Sequence, residues 1–125
     1  MPSFSIPHVL QLALAVGLLN VWLVRRTRAT AFRGGEAKSL EAEFAAYGLP
    51  GWAFYVVGAS KIGIAIALLV GLWVPALVPY AATFLVLLML GALVMHRKVG
   101  DPLTKSMPAL LMLALSGTLL GFMLA

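Results

Sequence analysis

Four apolar stretches, at about residues 6–24, 52–74, 78–96 and 107–125, constrain this chain more than any other feature. An α-helix needs about 20 residues to cross roughly 30 Å of hydrocarbon, and each stretch is close to that length. Hydrophobic residues make up 62 % of the chain and charged residues only 10 %. Soluble domains hold about 45–50 % and about 25 %, and a core of this size could not hide so much apolar surface from water. The solvent for most side chains must therefore be a lipid bilayer. Lipid offers backbone N–H and C=O groups no partners, so spans of this kind must be helical. The reading is all-α: an integral membrane four-helix bundle, one domain over residues 1–125. The first span lacks a basic leader and a small-residue cleavage site, which marks it as a retained span.

The basic residues set the orientation. Arg25, Arg26, Arg28, Arg33 and Lys38 follow the first span, and Arg97, Lys98 and Lys105 follow the third. The hairpin after the second span and both chain ends have none. The positive-inside rule then places loops 25–51 and 97–106 in the cytoplasm and both termini outside. The formal charge of +5 sits beside apolar spans, a topogenic pattern that argues against nucleic acid as a partner.

The polar loop 25–51 contains a Gly34-Gly35 turn signal, then Ala37, Leu40, Phe44 and Tyr47 at helical spacing, ended by Gly48 and Pro50. This predicts a short amphipathic helix over about 36–47 on the cytoplasmic interface, packed on the membrane or the bundle. Pro75 and Pro79 delimit a tight hairpin between the second and third spans, and Pro108 suits the opening turn of the fourth. Trp52 and Tyr55 are candidate interfacial anchors. In the second span Ala59, Gly63, Ala67 and Gly71 recur every fourth residue, a stripe that admits close approach of another helix. A second copy of the chain is one partner it offers. Gly117 and Gly121 form a weaker pair of the same kind.

Lys61 stands out among the site candidates. It lies nine residues past Trp52, about 13 Å along the axis and near the bilayer midplane. A lysine there costs about 2.5–3.5 kcal/mol on insertion scales, so it should face polar groups inside the bundle. Ser116 and Thr118 match its depth, and Asn20 is nearer the cytoplasmic side. No acid occupies a span, so an ion pair would require Glu41 or Glu43 to dip inward. His96 and Asp101, five residues apart, have the chemistry for proton transfer, set against the commoner reading of a solvated loop. Metal binding is disfavoured because His8 and His96 lie at opposite faces without a ligand cluster. With no cysteine, thiol and disulfide chemistry are excluded. No nucleotide or haem motif is present, no catalytic residue is assigned, and nothing equips the chain as an enzyme on its own.

Three polar stretches carry a family resemblance: FRGG at Phe32–Gly35, EFAAYGLP at Glu43–Pro50, and MHRKVGDPLTKSMPA at Met95–Ala109. With them the chain resembles the DoxX-like family of small bacterial four-helix membrane proteins, from Asn20 to about Leu113. The resemblance implies a bundle in the bacterial inner membrane. It also implies an accessory or scaffold role, linked in some members to quinone-dependent oxidoreductases, with quinone the cofactor and a membrane or cytoplasmic redox protein the partner. Arg33, Glu43, His96 and Asp101 lie within the three stretches. A carrier holding an anionic substrate at Lys61 is the alternative. An enzyme combining Lys61 with His96 and Asp101 ranks last, because their depths differ.

Overall fold

A computed structural model describes residues 5–24 and 39–125. All regular structure among these residues is helical, and four helices are long and apolar enough to cross a membrane. The first, α1, spans Ile6–Leu19 and continues into a π-helical segment, Asn20–Val24. The short α2 spans Leu40–Ala46 and α3 spans Gly51–Val70. A 3-10 turn, Pro75–Leu77, leads into α4, Val78–Lys98, and α5 covers Leu103–Leu124. Helix α1 packs on α3 and α5, and α4 also packs on α3 and α5. The four long helices thus form a square, with α3 and α5 on one diagonal.

Its core is aliphatic: Leu14, Leu18, Ala65, Leu68, Ala82, Leu85 and Leu119 are buried in one cluster. Large apolar side chains such as Val16, Ile66, Phe84, Leu87 and Leu111 point outward, as expected where lipid replaces water around the protein. Polar groups within the bundle are satisfied locally. Gln11 is buried and donates from Nε2 to the Leu68 carbonyl at 3.0 Å, bridging α1 and α3. Ser60 and Thr83 donate to carbonyls four residues back on their own helices.

Two boundaries differ from the sequence reading. Helix α2 begins after Ser39, whose extended backbone and side-chain bond to the Ala42 N–H make it the N-cap. Residues 36–38 and Gly34-Gly35 lie outside the described residues. Helix α5 begins at Leu103, with Pro102 as its N-cap, so Pro108 falls inside the helix instead of opening it.

The small-residue stripe divides in two: Gly71 is buried, where a Cβ would come within 2.6 Å of Val78, while its other end faces outward. Ala59 and Gly63 are exposed, and a Cβ on Gly63 would meet nothing within 4 Å. Gly63 and Ala67 instead line an outward groove of about 390 Å³ between α3 and α4, beside Tyr80 and Phe84. Close approach inside the fold also occurs outside the stripe, at Gly58, where a Cβ would come within 2.7 Å of the Trp22 ring. The π-helical segment carries Trp22 into that position, buried against Phe54.

Candidate functional site

The site grows from one turn. Helix α4 ends with Val99 as C-cap and Gly100 at φ 72°. The Gly100 N–H donates to the Arg97 carbonyl and the Asp101 N–H to the His96 carbonyl, each at 3.0 Å. This is a Schellman motif, which places the residue after the left-handed glycine beside the third residue from the helix end. Those two residues are usually apolar. Here they are Asp101 and His96, and the turn returns the carboxylate to the imidazole, with Nδ1 to Oδ2 at 2.7 Å. Pro102 then starts α5. The same arrangement ends α2: Gly48 has φ 77°, its N–H donates to the Ala45 carbonyl, Leu49 donates to Phe44, and Pro50 precedes α3.

These two junctions sit side by side. The Lys98 ammonium donates to the carbonyl of Tyr47, the C-cap of α2, at 2.9 Å. This suits a cation at a helix C-terminus. One turn back on α2, Glu43 shares the inward face with Tyr47, as the i, i+4 spacing requires. The Tyr47 hydroxyl donates to Glu43 Oε1 at 2.5 Å and lies 3.4 Å from His96 Nε2. Glu43 Oε1 is 3.8 Å from the same nitrogen. Glu43, Tyr47 and His96 are all buried. Lys105 Nζ stands 3.8 Å from the other oxygen of Asp101.

Aromatic rings roof this cluster. Phe44 meets Trp22 and Phe54 edge-on, and Tyr47 meets His96 in the same way. Lys61 lies on the far side of the roof. Its ammonium is 5.4 Å from the centre of the Trp22 ring and within electrostatic reach of Glu43. Helical side chains lean toward the N-terminus of their helix. From the third turn of α3, this lean returns the charge to the level of Gly58 and Trp22, where a cation–π contact replaces part of its hydration.

Among the candidate residues, Glu43, His96 and Asp101 therefore come together, with Lys61 adjacent. Of the two acids that an ion pair with Lys61 would require to turn inward, Glu43 is buried and Glu41 is exposed. The expected hydroxyl partners of Lys61 are elsewhere: α5 stands diagonally from α3, so depth alone was a poor guide. Ser116 is buried but donates to the Met112 carbonyl of its own helix, and Thr118 is exposed and donates to Ala114. Asn20 is exposed at the start of the π-helical segment. Arg33 lies outside the described residues. His8 bonds to Ser5 at the opposite end of α1. Sequence reasoning missed Tyr47, Trp22 and Lys98. Tyr47 was read as part of an apolar stripe, although its spacing from Glu43 was a signal for the pair. Among the described residues, no group of three or more ligating side chains converges on a metal position.

The cluster can hold and pass protons. It has two carboxylates, an imidazole and a phenol in succession, with a lysine near each acid. No curated protein and no solved structure matches the chain. The model of the DoxX-like family matches residues 9–118, including the Glu43–Pro50 run and all of the second polar loop. By that match over most of its length, this small membrane protein belongs to the DoxX-like family.

Proposed function

We propose that the protein is an accessory membrane subunit that binds a quinone or similar lipid-like molecule for a separate redox partner. One observation carries this reading: ionisable groups are gathered under α2 at one end of an apolar bundle. Four apolar helices associate without such a cluster, and burying it is costly. The Tyr47 hydroxyl is suited to donate to a quinone ring oxygen and His96 Nε2 to accept from a quinol hydroxyl. Trp22 and Phe44 supply aromatic faces beside them. A bound quinone would supply the electron-carrying ring. The chain has no cysteine for thiolate-ligated redox centres, so the reading assigns electron delivery to the partner. In this reading the bundle lies in a bacterial inner membrane, with the end bearing α2 and the α4–α5 turn in the cytoplasm, following the Lys/Arg bias.

The test is purification from native membranes combined with quenching of tryptophan fluorescence by a short-chain benzoquinone. The expected result is a stoichiometric co-purifying redox protein and saturable quenching that falls sharply in Trp22→Phe. A chain that purifies alone and is quenched only linearly, equally in both variants, would overturn the reading.

A further inference from the structure

We infer that Glu43, Tyr47, His96 and Asp101 form an acid–base relay that moves one proton across the roofed end of the bundle. A carboxylate can only accept a hydrogen bond, so the 2.7 Å contact with Asp101 requires the hydrogen on Nδ1 of His96. That leaves Nε2 as the working nitrogen of the neutral ring. It faces the Tyr47 hydroxyl at 3.4 Å and Glu43 Oε1 at 3.8 Å. The hydroxyl has a single hydrogen, now directed to Glu43 at 2.5 Å. Rotation about its C–O bond, with a closing of a few tenths of an ångström, redirects that hydrogen to Nε2.

The step balances as follows. With Glu43 protonated, its O–H bond breaks and the proton passes to the Tyr47 oxygen. The Tyr47 O–H bond breaks in concert, and an N–H bond forms at Nε2. One proton has moved and no electrons have. The products are a Glu43 carboxylate near Lys61 and a His96 imidazolium held by Asp101.

Among the described residues, charges on α3, α4 and α5 fit both ends of this transfer. Lys61 on α3 reaches Glu43 electrostatically, and Lys105 on α5 stands by Asp101. Lys98, on the same helix as His96, is directed to the Tyr47 carbonyl. Each acid thus has a cation nearby, so neither end of the relay is left as an isolated buried charge. A purely structural contact between α2 and α4 would need one hydrogen-bonding pair. A run of four titratable groups, completed when the Tyr47 hydroxyl turns to Nε2, is what proton transfer needs.

The relay does not depend on the quinone reading, and its test is separate: nitrogen-15 NMR of His96 and carbon-13 NMR of the Glu43 carboxyl during a pH titration in lipid nanodiscs. Neutral His96 is expected as the Nδ1–H tautomer, with the two groups titrating in shared steps. Tyr47→Phe keeps the ring and should uncouple them into independent curves. Glu43→Gln keeps a bond acceptor for Tyr47 but cannot hand on a proton, so the response of His96 to pH should change from shared steps to a single independent one. An Nε2–H tautomer in the wild type would refute the relay. So would unchanged His96 titration in Glu43→Gln, the arm that also decides the matter if Tyr47→Phe does not fold. A chain that binds no quinone but shows coupled titration would remove the accessory reading and retain the relay.

Discussion

At the scale of single residues, the site trades solvation for pairing. Lys61→Met removes the cation over Trp22 and one positive charge within electrostatic reach of Glu43. The expected loss is about 1 kcal/mol, as for removal of a partly desolvated cation–π contact. Adding Glu43→Gln should recover part of it, giving a coupling energy in a double-mutant cycle of reversible denaturation. Additive losses would mean that the two charges do not interact. Asp101→Asn replaces a charge-assisted bond to His96 with a neutral one, for an expected loss of roughly 1–2 kcal/mol by the same measurement. Lys61 was legible from the sequence as a charge that must find company, because insertion cost depends on position along a helix. Its actual company was not. Trp22 and Glu43 are brought to it by the π-helical segment and by α2, which depth counting along separate spans does not include.

For individual helices and turns, glycines decide what is close and what is open. Gly58→Leu should abolish folding or lower Tm by many degrees, since its side chain would occupy the space of the Trp22 ring. Gly63→Leu points into open space and should leave monomer stability nearly unchanged, a comparison that thermal melts in one detergent can make. Equal damage at both positions would contradict the packing described for α3. Gly100→Ala forces a side chain into the left-handed region at φ 72° and should cost about 1 kcal/mol. It should also disturb the His96–Asp101 contact that the turn aligns. The long helices were readable because about twenty apolar residues between charges allow little else. The stripe on α3 was readable as a pattern but not by direction. A period of four shows that small residues share a face, but not whether that face meets a helix or the outside. Likewise, Pro108 and Pro102 are both acceptable near a helix start, and only the turn at Gly100 selects between them.

Across the whole molecule, the two ends differ in kind: one holds the ionisable cluster, and the other is joined by a short apolar turn. If the Lys/Arg bias sets orientation, Arg97→Cys should be labelled by a membrane-impermeant maleimide only in inside-out vesicles. A cysteine added after Ala125 should be labelled only in intact cells, and the reverse pattern would invert the topology. The turn at Pro75–Leu77 has a further consequence. It is exposed and lies away from every contact of the cluster. By contrast, the His96–Asp101 contact spans five residues and is contained in the α4–α5 half. Peptide-bond continuity at that turn is therefore dispensable in principle, and each half keeps its own local architecture. Co-expressed as fragments 1–74 and 75–125, the chain should reassemble in the membrane through the contacts of Tyr47 with His96 and Lys98. A tag on one fragment should recover the other, and Lys98→Ala should weaken that recovery. The protein would then behave as two hairpin-like pieces that recognise one another, with the covalent link serving mainly to keep them at equal number.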